Sequence, residues 1–158
     1  KHGLKPPSSY QVIDTLTVAR REFKVSSNKL DYLCQFLGLN IKFDTGFDLW
    51  KRCLKGDVSA LKQMDEYCGN DVQILEELYL KLRPYIHSHP NLGTYIESDK
   101  RLCSNCGSKN IKWNGKFYHT PAGKYRTFRC GSCGAMNRVK FSEIKGDKKE
   151  SLLRSNAR

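Results

Sequence analysis

The chain has 158 residues, a formal net charge of +12 at neutral pH and an apolar fraction of 39%, enough for one medium or two small compact domains. It contains no run of about 18 apolar residues and no secretory-signal pattern, so neither a membrane-spanning helix nor export is expected. Residues 1–99 hold 13 Lys and Arg against 13 Asp and Glu, whereas residues 100–158 hold 15 against 3, so the excess charge sits wholly in the last third. The natural partner of so basic a segment is a polyanion, most commonly nucleic acid.

Residues 1–9 read as a Pro/Ser-rich connection, and "YQVI" at 10–13 as a short strand, being β-branched and aromatic. "DTLTVARREF" then turns helical, with Asp14 or Thr15 as cap and Leu16, Ala19 and Phe23 on one side. In "VSSNKLDYLCQFLGL", Ser26, Ser27 or Asn28 is expected to cap a helix that buries Leu30, Leu33, Cys34 and Leu37 and ends at Gly38. A shorter helix follows with Phe47, Trp50 and Leu54 inward. A long one starts at Asp57, apolar at 58, 61, 64, 68, 72, 75, 78, 79 and 82, with Gly69 as the candidate position for a bend or break and Pro84 near its end. Four helices and one strand make an odd inventory, because a lone strand needs partners. The missing strands are expected upstream of Lys1. Residues 89–100 read as a linker and residues 143–158 as a flexible basic tail.

Seven cysteines without a secretion signal argue for a reducing cytoplasm. Cys34, Cys53 and Cys68 fall in helical patterns and are expected as small buried hydrophobes. The other four form two tight pairs, "CSNCGS" with Cys103 and Cys106, and "CGSCGA" with Cys130 and Cys133. Two CxxC turns, each followed by glycine, offer four thiolates for a tetrahedral ion, and four thiolates leave no open position for catalysis. This predicts a structural zinc ribbon over residues 101–142. Its hairpin would run through "NIKWNGKFYHT", the turn "PAGK" and "YRTFRC". In it Trp113, Phe117, Tyr118, Tyr125 and Phe128 alternate with Lys109, Lys112, Lys116, Lys124, Arg126 and Arg129, while His119 reads as a surface residue. Cations can contact phosphates while exposed rings stack on bases. Lys112, Trp113, Lys116, Tyr118, Lys124, Tyr125, Arg126 and Arg129 are the candidate nucleic-acid contacts.

One detail of the long helix stands apart: "YCGND" sets Tyr67 and Asp71 four residues apart, on one helical face. Residues 12–39, "VIDTLTVARREFKVSSNKLDYLCQFLGL", resemble the DnaQ-like proofreading 3′–5′ exonucleases, and "YCGND" resembles the Y-x-x-x-D motif of their tyrosine-bearing (DEDDy) subclass. "KFDTGFDLW", the "LRPYI…HPN" exit and an appended zinc ribbon are similar to the phage and bacterial branch of these RNase-H-like enzymes. The likeness spans about residues 2–140. It implies an α/β architecture in which residues 1–88 are the C-terminal portion of an RNase-H-like exonuclease domain, mostly helices plus one strand, followed by the small β zinc ribbon. It further implies two Mg²⁺ or Mn²⁺ ions, with Asp71 as a ligand and Tyr67 orienting the attacking water. The family's D-x-E pair and second aspartate are not found before residue 10. The expectation is therefore a C-terminal fragment, inactive alone, of an enzyme acting on DNA rather than RNA in a bacterial or phage-infected cytoplasm. The competing expectation is a non-catalytic zinc-ribbon nucleic-acid-binding protein, such as a transposase or transcription accessory.

Overall fold

The computed structural model describes residues 3, 11–39 and 45–153. The protein is of mixed α/β type and divides into two compact units, Lys1–Ile86 and His87–Arg158. Among the described residues no helix is long and apolar enough to cross a membrane.

The first unit is helical. Helix α1 (Thr15–Glu22) is capped by Asp14, whose carboxylate accepts from Leu16 N at 2.9 Å, Thr17 N at 3.3 Å and the Thr17 hydroxyl at 2.8 Å. Helix α2 (Leu30–Leu37) has Lys29 at its N-cap without a side-chain bond. Of the three expected caps only Ser27 takes part, accepting from Lys29 N at 3.3 Å. At its far end Gly38 adopts φ 64°, Gly38 N–H bonds to Gln35 O and Leu39 N–H to Cys34 O. This paired closure needs a left-handed residue. Residues 11–14 are irregular, not a strand, and Tyr10 lies outside the described residues.

Helix α3 (Phe47–Leu54) and helix α4 (Val58–Leu82) depart from the expected orientation. Phe47, Trp50 and Leu54 are 75%, 50% and 90% exposed, and Leu49 is the residue α3 buries. Helix α4 runs unbroken through Gly69, because one glycine costs a packed helix only about 1 kcal/mol. It buries Ala60, Ile74, Leu78 and Leu82, with Met64, Tyr67 and Asp71 half-buried between them. Val58, Leu61, Cys68, Val72 and Leu75 face outward. The helix therefore has two apolar faces, and α1, α2 and α3 all pack against it. A sequence pattern cannot tell which face the neighbours take.

The core gathers Val18, Ala19, Leu33, Leu78, Leu82 and Ile86, wrapped by Ile13, Phe23, Val25, Leu30, Leu37, Leu39 and Tyr79. Cys34 is buried as expected, its thiol pushed up by burial and by Asp31 and Glu77. Cys53 is half-buried, and Cys68 is exposed because it lies on the outward face of α4.

The second unit is a three-stranded antiparallel sheet in the order β1 (Ile111–Thr120), β2 (Gly123–Cys130), β3 (Met136–Arg138). Thr120 pairs with Gly123 across the two-residue turn at Pro121 and Ala122. The register shifts between Trp113 and Phe117, where Gly115 takes φ 76° and three residues of β1 oppose Thr127. The Thr127 hydroxyl lies 2.7 Å from Asn114 Oδ1 and 2.9 Å from Lys116 O, fixing the bulge.

Residues 89–100 pack on the ribbon. They form a 3₁₀ turn at Leu92–Thr94, Leu92 N–H bonds to Ser104 O at 2.7 Å, and the Ile96 side chain fills the space beside Gly107. The start of the expected tail is also tied down, since Glu143 N–H bonds to Lys124 O and the Glu143 carboxylate pairs with Arg126 at 3.0 Å. A single turn, α5 (Asp147–Glu150), follows.

Candidate metal centre and nucleic-acid interface

The two CxxC segments fold as near-copies of each other. Cys103 N–H bonds to Ser108 O and Gly107 N–H to Cys103 O. In the second, Cys130 N–H bonds to Ala135 O and Gly134 N–H to Cys130 O. Both turns close through a left-handed glycine, Gly107 at φ 70° and Gly134 at φ 77°. At Gly107 a Cβ would also stand 2.5 Å from Ile96 Cδ1, so a side chain there would push the end of Ile96 aside.

These turns bring the sulfurs of Cys103, Cys106, Cys130 and Cys133 together, all within 4.8 Å of one another. Cys103 and Cys133 are 3.6 Å apart, and so are Cys106 and Cys130. A tetrahedron with metal–sulfur bonds of about 2.3 Å has edges of about 3.8 Å, so the cluster is compatible with a structural zinc ion.

The thiols by themselves make a poor neutral cluster. Burial pushes Cys130 up, but backbone N–H groups of Cys133 and Ser132 and the thiols of Cys106 and Cys103 outweigh it and hold it down to about 6. Cys133 is pushed up to about 12 by burial and by the neighbouring thiols. Four thiolates this close repel one another, and a bound cation would relieve that repulsion.

Asn137 on β3 was not anticipated from the sequence. Its Oδ1 accepts from Ser104 N and the Ser104 hydroxyl, both at 2.8 Å, and its Nδ2 donates to Cys103 Sγ at 3.5 Å and to Ala135 O at 3.2 Å. It ties the two CxxC turns to the sheet and donates to a ligand sulfur, as residues behind metal ligands do. Its only sequence signal was a polar residue soon after the last cysteine.

The sheet divides the expected nucleic-acid contacts between two faces, because residues paired across antiparallel strands share a side. Lys112 pairs with Arg129 and Tyr118 with Tyr125. On β3, Met136 pairs with Arg129 and Arg138 with Thr127. Lys112, Tyr118, Tyr125, Arg129, Met136 and Arg138 therefore share one face. The Arg138 guanidinium lies 4.8 Å over the Tyr118 ring and 4.9 Å over the Tyr125 ring.

Trp113, Phe117, Lys124, Arg126 and Phe128 lie on the other face. There Trp113 meets Phe117 edge-on, Lys124 sits 4.1 Å over Phe117, Arg126 pairs with Glu143 and Arg101 lies 5.3 Å over Phe128. Lys116 falls in the bulge, exposed like His119.

A comparison with protein-family models, curated proteins and solved structures finds no match to this chain.

In the helical unit, Tyr67 and Asp71 are one turn apart on α4, half-buried along the stripe that includes Ala60 and Ile74. Among the described residues, the four cysteines are the only group of three or more potential ligands that could hold a metal ion. Asp71 alone does not fit a two-ion Mg²⁺ or Mn²⁺ centre, and no catalytic step through such ions follows from these residues.

Proposed function

We propose that the protein acts on nucleic acid, DNA in preference to RNA, as the C-terminal portion of a 3′–5′ exonuclease whose zinc ribbon holds the substrate. The observation that carries this reading is the placement of Tyr67 and Asp71 together on the half-buried stripe of α4. A phenol and a carboxylate in mid-stripe sacrifice apolar burial where leucine would serve a purely structural helix better. The likeness to Y-x-x-x-D gives that sacrifice a purpose. The remaining carboxylates of the centre would come from chain outside this sequence.

The test uses the full-length protein and a 5′-labelled oligonucleotide with Mg²⁺ or Mn²⁺. Asp71→Asn should abolish shortening from the 3′ end while DNA affinity stays nearly unchanged, and Tyr67→Phe should slow it. Undiminished turnover in Asp71→Asn would overturn the reading.

The second reading is a zinc-ribbon nucleic-acid-binding protein without catalysis. What favours it is that no further carboxylate joins Asp71 in a metal-holding group among the described residues. It predicts steeply salt-dependent DNA binding and no metal-dependent cleavage by the full-length protein.

A further inference from the structure

We infer that the ribbon binds single-stranded nucleic acid across one face of its sheet only, the face of Lys112, Tyr118, Tyr125, Arg129, Met136 and Arg138, with the Arg138 guanidinium as a stacking platform. This rests on the nucleic-acid reading of the ribbon and is independent of any role of Asp71.

Three observations select this face. Its charged groups are all cationic, and Lys112, Arg129 and Arg138 are all exposed. On the opposite face Arg126 is paired with Glu143, Lys124 covers Phe117 and Arg101 covers Phe128, while Trp113 meets Phe117 edge-on and is itself half exposed. The cations also differ in kind. Arg138 lies over two tyrosines while staying exposed, and Tyr118 keeps half of its own surface open.

A guanidinium plane fixed in this way presents a π-like surface to a base and a charge to the adjoining phosphate. Lys112 and Arg129 form a cross-strand pair farther along the same strands, placing further charge on the line a backbone would follow. Stacking of this kind needs unpaired bases. In a duplex the bases are already stacked, and only the phosphates would remain to be contacted. An acidic peptide would satisfy the charges but not the exposed planes.

The experiment measures fluorescence anisotropy of a labelled thymidine oligonucleotide of about 12 nucleotides and of the matching duplex. The zinc-loaded chain is used at about 50 and about 200 mM salt. The single strand should bind more tightly than the duplex. Arg138→Ala and Tyr118→Ala should each weaken single-strand binding roughly tenfold. Arg138→Lys should lose most of that affinity while keeping the salt slope, because the charge stays and the plane is gone. Arg101→Ala, an equal loss of charge at Phe128 on the other face, should cost less than about threefold. Zinc content checks folding, and Lys112→Ala, at an exposed strand position, reports on the face should the Arg138 variants lose their metal.

Tighter duplex binding, equal losses from Arg101→Ala and Arg138→Ala, or equal displacement of the oligonucleotide by poly-glutamate would each overturn the inference. Failure of either nucleic acid to bind at low salt would remove it together with the ribbon's proposed role. A change in cleavage alone would leave it standing.

Discussion

Leu78 in the helical unit and Cys103 in the ribbon are both almost entirely out of water, yet different forces keep them there. Around Leu78, five other buried side chains and a ring of half-buried ones form a shared apolar core. Each such side chain contributes about 1.5–3 kcal/mol by leaving water. Around Cys103 the buried cluster reduces to Cys103, Cys130 and Ala135, with Cys106, Ile111 and Cys133 beside it. So small a core cannot offset the chain entropy of a three-stranded sheet, and four of its six residues are potential metal ligands. One unit should therefore stand on its packing and the other on a bound ion, and either should be able to fail while the other stays folded.

Metal removal should separate them most sharply. Structural zinc sites in small domains contribute about 10–16 kcal/mol of apparent binding free energy at neutral pH. A strong chelator, or Cys130→Ser, should unfold the ribbon and shift the emission of Trp113. The helical circular dichroism should persist, because α1, α2, α3 and α4 all lie in the other unit. Simultaneous loss of both signals would mean that the units do not fold independently.

Leu78→Ala is the reciprocal cut. A buried leucine truncated to alanine costs about 2–5 kcal/mol, so the helical transition in urea should move to lower concentration. Zinc content should not change. Asn137→Ala should then weaken metal affinity by about 10–100-fold, as loss of a group behind a ligand does, through the missing donor to Cys103 and the released Ser104 turn. Competition with a chromogenic chelator reads that change directly.

Acid gives a smaller distinction within the helical unit. Asp57 accepts from Ser59, from Arg52 and from Ala60 N, which together hold its carboxyl down to about 2 against an ordinary 3.8. Because the folded value is the lower one, its stabilising effect is complete above about pH 4 and fades as the pH falls from there through 2. Asp57→Asn should flatten the loss of helicity in that window.

Much of the ribbon was legible in the sequence because its geometry is dictated locally. A CxxC turn followed by glycine closes one way, and Gly115 and the Pro121–Ala122 turn mark the places where the hairpin bends. What was illegible depended on partners. The two faces of the sheet could not be separated until the bulge at 114–116 was placed, since it breaks the simple alternation that strand reading assumes. In α4 the sequence offered two apolar stripes. The neighbours occupy the one through Ala60, Ile74 and Leu78, not the longer one through Val58, Leu61 and Val72. Tyr67 and Asp71 lie on the occupied one, between Ala60 and Ile74. Asn137 could not be seen because Ser104 and Cys103, the partners that give it its role, lie more than thirty residues away in the chain.

The smallest expected effect bears on the same helix. Gly69 lies inside α4 and is exposed, and a Cβ built on it would meet nothing within 4 Å. Gly69→Ala should stabilise the helical unit by about 0.5–1 kcal/mol, since alanine loses less backbone freedom on folding and no neighbour has to move. A rise in the urea midpoint with unchanged zinc content would show that this glycine serves no packing role within the unit. Loss of the proposed 3′-end shortening despite that added stability would mean something else. Gly69 sits between Tyr67 and Asp71 in sequence, and a methyl group that offends nothing inside the unit would then be obstructing what approaches it from outside.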